Sequence, residues 1–182
     1  MPRMIGRMAR DRRGVSAVEF ALLAPFMIAL YLGCVEISDA VSCDRKVSLT
    51  AAALANLTAQ VTTISSTDMT NIFNASTAIV APYSASNLKM KVTCLKIDST
   101  GKAKVQWGAS SNDTARTTGT TYTFSSANTA LAVPSTWLIL AEVSYTYVPT
   151  IGNQLTGTLT LSDMMFMSPR ISAPSYGSAT CS

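Results

Sequence analysis

One carboxylate in this chain stands where a carboxylate is strongly disfavoured. Glu19 lies just inside the apolar run of residues 15–35. An ionised side chain placed centrally in a hydrophobic span costs roughly 2.5–3.5 kcal/mol even on the lenient insertion scale. The chemistry open to such a group is charge neutralisation by a nearby cation. Immediately before it the chain reads Arg12-Arg13-Gly14-Val15, and immediately after it Phe20. The other reactive groups are four cysteines: Cys34, Cys43, Cys94 and Cys181. Cys34 falls within the apolar run and reads as a small buried hydrophobe. The remaining three allow one bridge, chosen in three ways. We expect Cys94 with Cys181, because it would tether the C-terminal tail, with no pairing at all as the alternative. Histidine is absent, so a Ser/His/Asp triad is impossible, and no spacing of cysteines or carboxylates suggests a metal site. No catalytic residue, cofactor or metal is expected.

Charge then places these groups. Residues 1–13 hold five arginines (Arg3, Arg7, Arg10, Arg12, Arg13) against Asp11, and the rest of the chain balances, so the net charge of +4 sits in the leader. The body has no basic stripe to follow phosphates, which argues against nucleic-acid binding. Arg12 and Arg13 fit instead a cytoplasmic leader held by the positive-inside rule, with the chain beyond residue 37 outside the cytoplasm. Residues 15–35 would span about 31 Å as a helix, enough for a bilayer core. A cleavable secretory signal is the rival, but its apolar region is about 7–15 residues. The sequence after this run, Glu36-Ile-Ser-Asp-Ala40, is a weak cleavage site.

The elements that must position these residues emerge from periodicity. Val47, Ala51, Leu54, Thr58 and Val61 recur at helical spacing. One helix is therefore expected from residue 15 to about residue 64, apolar all round at first and one-faced afterwards. Ser65-Ser-Thr-Asp68 reads as a stop and a fresh N-cap, followed by Met69, Ile72, Phe73, Ala75 and Ile79 at helical spacing up to Pro82. Leu88, Met90, Val92 and Cys94 then alternate with polar residues as a strand. A turn at Asp98-Ser-Thr-Gly101 leads to Ala103, Val105 and Trp107, completing a hairpin. Residues 108–136 read as a long surface loop with a short strand at 121–124. Residues 137–148 form the strongest strand, with Trp137, Tyr145 and Tyr147 on one face, and residues 155–166 carry another, its Met164-Met165-Phe-Met167 cluster read as core. The expected fold class is α+β: a long N-terminal membrane and amphipathic helix packed on an antiparallel sheet, pilin-like in shape. Its parts are a leader (1–14), a transmembrane helix (15–37), an amphipathic continuation (38–64) and a periplasmic domain (65–182).

Gly14-Val-Ser-Ala-Val-Glu19-Phe20 has a structural reading of its own. Ser16-x-x-Glu19 is a capping box, and an acid in the first turn suits the helix dipole. The same residues resemble the cleavage site of prepilin-like proteins, in particular Tad (tight adherence) pilus pseudopilins of the TadE/TadG type. Residues 44–60 are similar to the continuation in alphaproteobacterial members. Shorter echoes occur at Ala81-Pro-Tyr83, Val105-Gln-Trp107, the 141–149 segment and Ser168-Pro-Arg170. The resemblance implies cleavage after Gly14 by a prepilin peptidase that recognises Gly14, Val15, Glu19 and Phe20. The cut would free an α-amine on Val15, one helical turn from Glu19. It also implies a minor pseudopilin-like component of a Tad/Flp-type (type IVb-like) adhesion pilus, not an enzyme. Its partners would be the peptidase, the inner-membrane assembly platform and other pilins. An uncleaved membrane-anchored binding module, or a secreted domain starting near Val41, are the alternatives. Pro25, mid-helix, is expected to kink the span, and Gly33 to accommodate close packing.

Overall fold

The computed structural model describes residues 13–150 and 157–181, with backbone alone at residues 13 and 14. Helix α1, Arg13–Ala59, is continuous for 47 residues and passes through Pro25 without a break. A two-residue strand β1 (Thr63–Ile64) and helix α2 (Ser66–Thr77) come next. Then come β2 (Leu88–Ile97), β3 (Ala103–Ser111), β4 (Thr121–Tyr122), β5 (Trp137–Tyr147), β6 (Leu159–Met167) and β7 (Ser175–Tyr176). The main sheet has five strands in the order β4-β3-β2-β5-β6, every pairing antiparallel. The chain thus has the α+β arrangement that its period changes predict.

The second half of α1 lies across one face of this sheet. Cys43, Val47, Ala51, Leu54 and Thr58 are fully buried, one stripe at spacings of four, four, three and four. Opposite them are Met90, Val92 and Cys94 of β2 and Ile139, Ala141, Val143, Tyr145 and Tyr147 of β5. The fit is one of length as well as period. Twenty-one helical residues rise about 31 Å, close to the roughly 30 Å of a nine-residue strand. The second half of α1, from near Asp39, is thus packed into the same core as the sheet.

The other sheet face has a smaller core. Leu95, Ile97, Ala103, Val105, Leu138 and Leu140 cluster there under Tyr122, Phe124, Leu131 and Phe166. A register shift between Cys94 and Leu95 lets β3 serve both cores. Cys94 faces Trp107 and Leu95 faces Val105, so Gln106 is the extra residue of a bulge. Trp107 consequently points toward the helix and Val105 away from it. The segment after β3 folds back over this second face. At Gly108 a Cβ would sit 2.7 Å from the Arg116 carbonyl oxygen, so only glycine admits the crossing.

Four expectations need correcting. First, α1 ends at Ala59, not near residue 64. The Arg170 N–H donates to the Ala59 carbonyl (3.0 Å), and β1 pairs in parallel with β7. Val61, Thr62, Thr63 and Ile64 are all β-branched, a strand preference that the helical stripe obscured. Second, β3 runs to Ser111, so the loop begins later and part of it is core cover rather than free surface. Third, the methionine-rich cluster is core only in part: Met165 and Met167 pack against the helix-side core and Phe166 against the other, but β6 is an edge strand among the described residues and Met164 is exposed. Fourth, no atom lies within 4 Å of a Cβ built at Gly33, so Gly33 accommodates no close neighbour among the described residues. The fresh helix start at Ser65 is as expected. Ser65 and Asp68 form a reciprocal capping box opening α2.

Candidate functional site: the anchor helix and its junction with the sheet

The first half of α1 has no cover from the other described residues. Among the described residues it is the one helix long and apolar enough to cross a membrane, with a mean hydropathy of 2.1 over its best window and none of that window buried. Val15, Val18, Phe20, Leu22, Leu23, Phe26, Met27, Ile28 and Leu30 all point outward. In water this array would forfeit on the order of 25 cal/mol per Å² of apolar surface left uncovered. Cys34 is exposed here too. Among the described residues nothing covers it, so it is not the buried hydrophobe expected.

Glu19 is exposed within this bare half. Val15 and Glu19, four residues apart on a continuous helix, share one face. The capping box proposed for Ser16 and Glu19 does not form. The backbone is already helical at Arg13, so Ser16 is an interior residue and its following amides are taken by the turn before. Phe20 points outward beside Glu19. Arg12 lies outside the described residues, as does the rest of the leader. Gly14 and Arg13 are placed by backbone only, inside the first turn.

Where α1 meets the sheet, one carboxylate gathers two phenols. Asp39 Oδ1 accepts from the Tyr83 hydroxyl at 2.8 Å, and Oδ2 accepts from the Tyr147 hydroxyl at 2.7 Å. Tyr83 comes from the connection before β2 and Tyr147 from the end of β5, so one side chain pins three segments. Burial first, and then the neighbouring Asp39 carboxylate, pushes both phenols well above the ordinary tyrosine range. Tyr83 also packs edge-on to Tyr145 and Tyr147, with ring centroids 6.2 and 6.5 Å apart. Two turns further along, Lys46 Nζ donates to the Ala81 carbonyl at 2.6 Å. Cys43, between them, is fully buried and unpaired; burial, then Asp39 and Asp44, raises its thiol to about 11. Such a thiol is inert rather than nucleophilic.

The far end of the domain is tied separately. Cys94 of β2 is bonded to Cys181 of the tail, with Cα atoms 6.3 Å apart. Trp107 Nε1 donates to the Pro174 carbonyl at 2.8 Å, and its ring lies 5.5 Å from that of Tyr176. Arg170 donates from a guanidinium nitrogen to Asn56 Oδ1 at 2.7 Å. On the opposite face Arg116 meets Glu142 through two bonds of 2.9 and 2.7 Å. That pairing outweighs the opposing effect of partial burial and holds the Arg116 proton more firmly than usual.

Sequence reasoning missed Asp39 and Lys46, which look like ordinary charges on an exposed helix. The usable signal lay in the short echoes. Tyr83, Trp107, Tyr147 and Arg170 each stand in one of them, and each makes a long-range tie.

Comparison with known proteins bears on the helix alone. Residues 14–55 match the family model described as TadE-like protein. The matched segment lies wholly within α1, taking in Gly14, Glu19, the bare half and most of the buried stripe. No curated protein and no solved structure matches the chain.

Proposed function

We propose that this chain, whose residues 14–55 form a TadE-like segment, is a single-pass membrane protein that works in assembling a Tad-type pilus. It would enter that assembly as a minor pseudopilin, processed after Gly14 by a prepilin peptidase. On this reading the protein is a substrate and a building block, not a catalyst. Its partners are the peptidase, the inner-membrane platform and other pilins. Its folded domain stands in the periplasm, or on an extracellular adhesion fibre.

The observation that carries the reading is the bare, membrane-length half of α1 with Glu19 one turn beyond the Gly14–Val15 bond. Exposed apolar side chains need lipid or neighbouring helices, and a carboxylate among them needs a cation. Cleavage after Gly14 would create that cation, the α-amine of Val15, on the same helix face. Before cleavage Arg12 and Arg13 would serve the carboxylate from the cytoplasmic interface. The scissile bond lies in the helix's first turn, where Gly14 lowers the cost of unwinding by about 1 kcal/mol relative to alanine. Release of a soluble domain near Val41 is disfavoured by the junction, since it would remove Asp39 and leave two tyrosine hydroxyls without their acceptor.

N-terminal analysis of the mature protein, in cells with and without a prepilin peptidase, is the test. A start at Val15 that depends on the peptidase supports the proposal. A start at Met1 in both supports the uncleaved binding module, and a start near Val41 the secreted domain. Glu19→Gln should be incorporated poorly or not at all; wild-type processing and incorporation would remove the electrostatic role.

A further inference from the structure

The height at which the sheet meets the helix places part of the domain against the bilayer. A span beginning at Val15 crosses a roughly 30 Å hydrocarbon core in about 20 residues and reaches its outer boundary near residue 35. The sheet does not begin beyond that level. Gly33, Glu36, Ile37 and Ala40 of α1 line one side of a groove of about 280 Å³, and Tyr147, Pro149 and Leu159 line the other. The Asp39–Tyr147 bond of 2.7 Å fixes this register. The end of the sheet formed by β5 and β6 therefore sits beside helix residues 33–40, astride the boundary itself.

The surface there has the character of a membrane interface. Val148 and Leu159, from the two strand ends, are 45% and 43% exposed, and Ile37 of the helix is 67% exposed. Half-buried Tyr83 carries an aromatic body with a polar tip held by Asp39, the kind of side chain favoured at headgroup level, while Tyr147, 5% exposed, lines the groove from the core side. The groove is continuous with the outward-facing apolar surface of the span, so whatever solvates the span also reaches it.

We infer that the Tyr147–Pro149 and Leu159 end of the sheet is a lipid-contacting surface. It would be seated in the headgroup and upper acyl layer of the leaflet on the domain's side, with phospholipid filling the groove against α1. The domain would thus stand on the membrane along one edge of its sheet, rather than swing clear of it on the helix. This inference rests on the reading of α1 as a membrane span.

Depth-resolved tryptophan quenching of the full chain in phospholipid nanodiscs tests it. Native Trp107 and Trp137 lie at the opposite end of the sheet and supply the background. Single tryptophans replace Val148, Leu159, Phe26 (mid-span) and Ile171 (75% exposed, at the membrane-distal end). Val148→Trp and Leu159→Trp should be quenched by headgroup-level nitroxide lipid at least about twofold more than Ile171→Trp, as expected for side chains within 5–10 Å of the interface. Phe26→Trp should respond best to nitroxide deep in the chains. If Phe26→Trp responds and the 148 and 159 positions are quenched only by aqueous iodide, the inference is overturned and the span stands. If those two positions are shielded from both quenchers, a protein surface covers them and the lipid contact is wrong. If Phe26→Trp is itself reached only by iodide, the span reading fails and takes the inference with it.

Discussion

Cys43 and Asp68 show how the fold sets the behaviour of single ionisable residues. The Cys43 thiol is raised from 9.0 to about 11, chiefly by burial. A raised acid favours its neutral form, so the associated stability is fully present below pH 9 and is lost as pH rises through 11. We predict that Cys43 resists alkylation at pH 8 in the folded chain and reacts fully on unfolding, read by mass spectrometry. Asp68 runs the other way. The Ser65 hydroxyl and backbone N–H, in that order, hold its carboxyl below the usual 3.8. Its contribution is present above that value and is lost as pH falls through the lower folded one. Asp68→Asn should therefore flatten the acid limb of the stability curve below pH 4, measured by thermal melts across pH. The capping signal around Asp68 was legible in the sequence because a capping box is local. Burial of Cys43 was not, because it depends on a sheet more than forty residues away.

Among the elements, α1 changes role along its length without changing conformation. Its periodicity announced both halves: apolar on every side before Glu36, and one-faced from Val47 onward. The junction between them is where pattern reading stopped short, since nothing in a helical wheel marks Asp39 as the acceptor of two phenols. Asp39→Ala should destabilise the full chain in micelles by roughly 1–3 kcal/mol, because it leaves a buried tyrosine hydroxyl without its charged acceptor. A double-mutant cycle with Tyr147→Phe should give a coupling above about 0.5 kcal/mol by denaturant titration. Additive effects would mean that the bond seen at 2.7 Å contributes nothing measurable. The end of α1 carries the complementary lesson. Alanine-rich residues 50–55 favour helix, but the β-branched run after them pairs with the tail instead, and propensity and partner together end the helix at Ala59.

For the molecule as a whole, the tail is what closes the domain. The Cys94–Cys181 bond joins positions 87 residues apart, and the tail it holds also covers Trp107, caps α1 through Arg170 and pairs β7 with β1. Replacing both cysteines by serine should cost about 2–5 kcal/mol, since long loops lose the most entropy from the unfolded chain when cross-linked. The measurement is the denaturant midpoint of the variant against the parent. The parent should also shift in non-reducing electrophoresis when treated with reductant, and the variant should not. A midpoint change below about 0.5 kcal/mol would mean that hydrogen bonds to the tail suffice without the bridge.

By itself the sequence determined everything that depends on near neighbours along the chain. It marked the apolar span with Glu19 at its edge, the buried stripe of α1, the Ser65 start of α2, and the alternation of the main strands, because period and capping act over a few residues. Tertiary structure alone decided where along α1 the sheet joins it, why α1 stops at Ala59, how Gln106 turns β3 between two cores, and which side chains pin the sheet to the helix. Those outcomes depend on contacts between residues tens to more than a hundred positions apart, whose energies no local pattern records. The carboxylate at the edge of the apolar run thus came from the sequence, and the level at which the sheet joins that helix came from the fold.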